Sequence, residues 1–412
     1  MATRPATPAT NATPSYMGPF ITVAILFGIF GFLTSLNNVL VKKMEDIFHL
    51  QHGPAMLATA AWFLAYLIFS LPSAKVIEKV GYKATMVISL FVMTGGALLF
   101  LPAANMVSFP MTLLAIFLLA TGVTGLQTSA NPYVSILGPE HSAPARLTLA
   151  QAFNSIGSLL APWVAGVFIL SSARQQLSDA ATAHMLEGPY IAIAFALLVL
   201  GFAVMMLHLP AVTSATRAAG SPQTGRSIWT YSHTVLGMVG IFFYVGIEIA
   251  VAAITIQFCQ SQGMTKVETA SLMVSAFYFL MMVGRLLGSF VMVWIKAEKL
   301  LVVLGIAGIA LLLTAMFTHG TVAIACLVFT GLANSVMYPN IFALGIAELG
   351  PLTSKGSGII TIGNVGGAIL PPLLGALADR VGIQYAFVIP IIGYLFVTYY
   401  GLSGYKPARA SA

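Results

Sequence analysis

Charge is the scarce ingredient of this sequence. Only 7% of its 412 residues are Asp, Glu, Lys or Arg, while 58% are hydrophobic. Soluble domains carry about 25% charged residues, so the composition excludes a water-soluble globular fold and points to a polytopic membrane chain. Cysteine is nearly absent. Cys259 and Cys326 lie in separate apolar segments, which excludes a disulfide framework and a thiolate metal site. The seven histidines and eleven acidic residues show no metal-ligand or catalytic spacing, so neither an enzyme nor a bound cofactor is expected. No GxxxxGK[ST] loop is present, which argues against ATP-driven work by this chain alone. The net charge of +7 is scattered at segment ends rather than drawn into a basic stripe, so nucleic acid is not an expected partner.

What remains is apolar sequence in long runs. Residues 84–139 and 300–347 contain no charged side chain, and a bilayer crossing takes about 20 apolar residues, so each run holds two spans. The whole chain divides into twelve expected spans: 18–41, 54–76, 84–101, 110–136, 147–171, 188–210, 231–259, 267–294, 300–317, 321–347, 356–378 and 383–404. Residues 1–17 read as a disordered Pro/Thr/Ala-rich tail, and 405–412 as a second tail. The polar stretch 211–230 is a linker between an N-terminal bundle (18–210) and a C-terminal bundle (231–404), six spans each. With the N-terminus inside, twelve Lys/Arg fall in inner loops and tails and five in outer loops. That bias predicts both termini on the cytoplasmic side of the inner membrane.

The halves repeat. Asn154-x-x-Gly157-x4-Pro162 recurs as Asn364-x-x-Gly367-x4-Pro372, an offset of 210. Gly125-Leu126 with Pro132 recurs as Gly331-Leu332 with Pro339. The same offset sets Asn38 opposite Glu248. Duplicated halves with polar groups at their interface are the build of alternating-access carriers.

The apolar spans carry amides, which are costly in a membrane unless they meet a partner or a watery cavity. Gln127 and Asn131 are four apart and Gln151 and Asn154 three apart, so each pair shares a helix face. Amides offer donors and acceptors together, as sugar hydroxyls do. Asn131 also stands beside Pro132, where it suits backbone freed by the proline. Asn334 and Asn364 suit either ligand contact or interhelical bonding. Trp62, Tyr244 and Tyr278 are candidates to stack on a sugar ring or to pack. Glu248 is the one acidic residue well inside a span, a functional carboxylate by default. Arg285 suits a partner for Glu248, a snorkelling position near Lys296, or a structural and gating role at the inner end of its span.

Three stretches carry a family resemblance: GFLTSLNNVL at 31–40, ANPY at 130–133 with LGPE at 137–140 and RLTLAQAFNS at 146–155, and YPNIFALG at 338–345 with GSG at 356–358. The chain resembles the major facilitator superfamily, and within it the fucose/glucose/galactose:proton symporters, nearest the glucose/galactose branch. The resemblance implies an all-α polytopic fold of twelve transmembrane helices in two pseudo-symmetric six-helix bundles. The superfamily's loop signature is degenerate here, as Ala74-x3-Glu78-Lys79-x-Gly81-x-Lys83; Glu78 and Lys79 take its gating or structural part. Proton-coupled fucose carriers place acids where this chain has Asn38 and Gln127. The glucose/galactose branch has Gln at the span-four position and Glu in span seven, as at Glu248. The resemblance therefore implies a neutral hexose bound by Asn38, Gln127, Asn131, Gln151, Asn154, Tyr244, Asn334 and Asn364, with Glu248 as the ion-coupling carboxylate. Sodium in place of the proton, uncoupled flux, and fucose or an N-acetylated sugar as cargo stay open. A monomer in the lipid bilayer is the expected state, since each half already has a partner.

Overall fold

The computed structural model describes residues 17–47, 52–106, 108–165, 187–207 and 227–407. The predicted N-terminal tail up to residue 16, the linker core and the last six residues of the 147–171 span lie outside them. Among the described residues every regular element is helical, as a lipid setting demands: with no water to satisfy backbone groups, the helix bonds them within one segment. The principal helices are α1 (Met17–Ile47), α2 (His52–Asn105), α3 (Phe109–Ile136), α4 (Ala143–Ala165), α5 (Glu187–Met206), α6 (Ser232–Ser261), α7 (Val267–Val291), α8 (Ala297–Phe317), α9 (Gly320–Asn334), α10 (Met337–Gly345), α11 (Thr353–Ile362), α12 (Gly366–Val381) and α13 (Val388–Tyr399).

Ten stretches of the described residues are long and apolar enough to cross a bilayer. One of them, Leu57–Asn105, runs 49 residues. At about 1.5 Å per residue that is more than twice the roughly 30 Å hydrocarbon core, but it is not one rod. Gly81 (φ 83°, ψ 172°) turns the chain between the two spans expected there. The expected tenth span is likewise interrupted, between α9 and α10, and the eleventh tightens through a short turn at Gly363–Val365 between α11 and α12.

The internal repeat has a packing basis. α1 lies along α4, and α6 along α12. A Cβ at Gly157 would overlap the carbonyl oxygen of Gly28, and one at Gly366 would overlap that of Phe242. In the first half the glycine of the repeated Asn-x-x-Gly motif thus brings two helix backbones into contact, the small-residue packing that holds helices together in lipid; in the second half the preceding Gly366 does so, and a Cβ at the motif's own Gly367 would instead meet the Phe63 ring.

Proline supplies the second repeated device. Pro132 in α3 and Pro339 in α10 have no N–H, so each leaves the carbonyl four residues earlier without its helical donor. Those carbonyls belong to Thr128 and Ser335. Ser357 Oγ donates to Thr128 O at 2.7 Å, and Arg285 Nε donates to Ser335 O at 3.1 Å. Ser357 comes from the opposite half. The backbone freed by Pro132 is therefore satisfied by Ser357 rather than by the neighbouring Asn131.

The halves meet along two seams, α2 against α11 and α4 against α7. Contacts between halves include Tyr82 Oη with Ser354 Oγ at 3.4 Å and Lys355 Nζ with Glu78 Oε1 at 3.6 Å. These lie at the end of the molecule where α11 begins, and they close it.

Candidate functional site

Between the halves lies a cavity of about 510 Å³, within the roughly 300–1,000 Å³ of small-molecule sites. The N-terminal half lends Trp62, Gln127, Gln151 and Asn154 to its wall, and the C-terminal half lends Tyr244, Glu248, Tyr278 and Asn364. Both partners of the repeated Asn, 154 and 364, therefore reach one space from opposite sides. The faces that the helical spacing assigned to Gln127 and to Gln151 with Asn154 do meet there. Small hydroxyls and aromatic rings complete the lining, a mixture that matches a ligand with polar edges and apolar ring faces.

Behind the wall runs a directed chain of hydrogen bonds. Gln151 Nε2 donates to Asn131 Oδ1 at 3.3 Å, Asn131 Nδ2 to Tyr338 Oη at 3.4 Å, and Tyr338 Oη to Gln127 Oε1 at 3.4 Å. Asn131 is fully buried and acts through Gln151 and Tyr338 rather than on the lining itself. Tyr338 belongs to the C-terminal half, so this chain crosses the interface. Its ring meets that of Tyr244 edge-on, with centroids 5.9 Å apart.

The floor holds a buried cation. Arg285 is 6% exposed, so it does not snorkel. Its guanidinium donates to Ser155 Oγ at 2.6 Å and to Gln151 O at 3.3 Å, both in the opposite half. It also donates to Tyr244 Oη at 3.5 Å. All these acceptors are neutral, and no ion pair within 4.0 Å joins Arg285 to Glu248 among the described residues. Both charges face Tyr244 and Tyr278, which stand in their shared field. A delocalised, weakly hydrated guanidinium tolerates such a neutral cradle better than an ammonium would.

The other predicted residues fall elsewhere. Asn334 is fully buried away from the cavity and accepts a hydrogen bond from Tyr394 Oη at 2.7 Å. Asn38 lies outside the residues whose side chains are described. Glu78 and Lys79 sit at the closed end, Glu78 paired with Lys355 and Lys79 exposed. Sequence reasoning missed Tyr338, Tyr66, Phe63 and Ser155, all in the lining. Their only signal was position near a predicted polar face, because an aromatic or a serine in a span ordinarily packs. Among the described residues no group of three or more His, Cys, Asp or Glu is placed to hold a metal.

Known proteins bear on this arrangement. A glucose/galactose transporter of Brucella abortus is 40% identical over 400 residues, covering 96% of each chain. An L-fucose-proton symporter of Escherichia coli is 30% identical over 405 residues, covering 93% of this chain and 92% of the relative. Among solved structures, the transporter FucP in its outward conformation superposes with a TM-score of 0.87 at 27% identity, over 94% of this chain and 99% of that one. A proton:xylose symporter shares the fold at TM-score 0.74 and 16% identity, over 95% and 96%. Residues 23–363 match the Major Facilitator Superfamily, and with its multi-pass helical fold the chain belongs to that family.

Proposed function

We propose that the protein is a secondary carrier that moves a neutral hexose of the glucose/galactose type across the inner membrane by alternating access, in symport with a proton taken up at Glu248. The observation that carries this reading is the cavity itself, where amides and aromatic rings of both halves surround one carboxylate. The names of the relatives point to the cargo: glucose/galactose for the one at 40% identity, L-fucose with a proton for the one at 30%.

The end closed by Tyr82, Ser354, Glu78 and Lys355 is the cytoplasmic one by the Lys/Arg bias, so the cavity opens outward and both termini are cytoplasmic. Sugar binds with its ring against Trp62, Tyr244 or Tyr278 and its hydroxyls on the amides. The halves then rock, the cytoplasmic contacts part, and the outer ends meet. A proton biases this equilibrium only by binding the two facing states with different affinity. Glu248 suits that task because, among the described residues, no cation within 4.0 Å would be left unpaired when it is neutralised. Arg285, bonded across the interface to neutral acceptors, positions Ser155 and Gln151.

The test is labelled-glucose uptake into vesicles under an imposed inward proton gradient. The wild type accumulates sugar, and Glu248→Gln retains only exchange or downhill flux. Equal accumulation by both proteins sinks the assignment of Glu248. Accumulation driven by a sodium gradient alone replaces the proton, and excess unlabelled fucose or N-acetylated sugar as the better competitor replaces the cargo.

A further inference from the structure

Resting on the sugar-carrier reading, we propose that the cavity selects its ligand by hydroxyl donation. It presents oxygen acceptors at Asn154 and Asn364, and so takes an unmodified polyol ring whose hydroxyls donate there. Ligands that offer only a lone pair at those positions are rejected.

The two ends of an amide have nearly the same shape, and their neighbours decide which end faces where. A backbone carbonyl can only accept. Asn154 sits 3.1 Å by its Nδ2 from Phe27 O, and Asn364 sits 2.8 Å by its Nδ2 from Thr361 O. In both residues the amino end is thereby fixed on backbone, and the carbonyl oxygen remains without a donor among the described residues, on a side chain that lines the cavity. These are equivalent positions of the internal repeat, so each half contributes one oriented acceptor. Gln151 adds a third, because its amino group donates to Asn131 and its Oε1 is left over.

Three small hydroxyls of the wall are biased the same way. Thr34 Oγ1 donates to Phe30 O at 2.9 Å, Ser35 Oγ to Ser158 O at 2.9 Å, and Ser158 Oγ to Gly31 O at 3.1 Å. With their protons engaged on backbone, they show lone pairs to a ligand. Arg285 does not correct the balance, since its five N–H groups are taken up by Ser335, Gln151, Ser155, Tyr244 and the Met281 sulfur. The clearest amide donor is Gln127 Nε2, whose Oε1 is held by Tyr338. A buried acceptor facing another acceptor is left unpaired and desolvated, which makes hydrogen-bonding pockets strict about the partner's polarity.

Fluorine in place of a hydroxyl keeps a weak acceptor and loses the donor, whereas hydrogen loses both. The experiment is competition for labelled glucose and, in parallel, labelled galactose on the purified full-length protein in sodium-free buffer, using complete monodeoxy and monofluoro series. The expected result is at least two ring positions where the fluoro sugar binds as weakly as the deoxy sugar, about ten-fold or more below the parent. In Asn154→Ala the fluorine penalty at one of those positions disappears, and in Asn364→Ala that at the other. The wild-type series decides the point even where a variant fails to fold. Fluoro sugars that all bind within about threefold of the parent, whatever the deoxy sugars do, overturn the inference and leave the carrier reading standing. Failure of both parent sugars to bind overturns the carrier reading, and this inference with it.

Discussion

Pro132 and Pro339 occupy matching places in the two halves, and each frees one carbonyl, yet the structure uses the two differently. At Pro132 the freed Thr128 O is taken by a neutral hydroxyl from the other half, Ser357, at 2.7 Å. At Pro339 the freed Ser335 O is taken by Arg285 of the same half, and only Nη1 of the guanidinium reaches across, to Ser155 and Gln151. The first repair is a single neutral bond beside close backbone packing: a Cβ at Gly358 would stand 2.8 Å from Ala74 Cβ and 2.9 Å from Ser70 O. The second is a charged fork with several acceptors. One duplicated backbone lesion has thus been repaired in two ways, by a neutral latch between the halves and by a charged strut at the floor of the cavity. In lipid either repair is preferable to an unsatisfied carbonyl.

Removing the strut should have the largest effect. Arg285→Ala strands Ser335 O and removes the charged bonds to Ser155 Oγ and Gln151 O, and each lost bond to a charged donor is worth about 1.5–3 kcal/mol. Uptake per transporter in vesicles should fall about a hundredfold or more, with a lower thermal transition in detergent. Arg285→Lys should recover only part of this, because an ammonium cannot reproduce the fork. An alanine variant that transports within about threefold of wild type would erase the distinction between strut and latch.

The latch should give a smaller and reversible effect. Ser357→Ala leaves the buried Thr128 O without a partner, at about 1–3 kcal/mol, and only in the conformation that closes this end. The expected result is a shift of roughly five- to a hundredfold toward the state open at that end. It is read as faster alkylation of Ser354→Cys in a background with Cys259 and Cys326 replaced by Ala. Adding Pro132→Ala returns an N–H to Thr128 O within the helix, and most of the shift should vanish. Strict additivity of the two substitutions would mean that the freed carbonyl is not what Ser357 holds.

These roles differ in how far the sequence discloses them. The fold was legible because charge-free runs and a repeated Asn-x-x-Gly motif are local. Gln127, Gln151, Asn154 and Glu248 were legible because polar atoms in a span need a reason. Asn334 shows the limit. It carries the same amide in the same kind of segment, but it faces Tyr394 rather than the cavity, and the interruption after α9 makes helical phase a poor guide there. Tyr338 was invisible for the opposite reason. A tyrosine beside a proline in an apolar run reads as packing, and only tertiary structure brings its hydroxyl between Asn131 and Gln127. Arg285 announced itself as a buried charge, but the neutral cradle that holds it is assembled from three other segments.

The smallest effect belongs to the pair that caps the latch at the surface. Lys355 and Glu78 lie 3.6 Å apart with side chains 46% and 32% exposed, and such pairs are worth about 0–1 kcal/mol. Their attraction is screened at physiological salt, where the Debye length is about 8 Å. Glu78→Gln or Lys355→Gln should therefore change uptake by less than about threefold at 0.15 M salt, with a larger deficit at low ionic strength. The exchange Glu78→Lys with Lys355→Glu should restore the wild-type salt response. A tenfold loss in either single variant that persists at high salt would mean that the pair is not screened in the closed state. The latch would then be electrostatic, like the strut, and the contrast between the two prolines would reduce to which half supplies the charge.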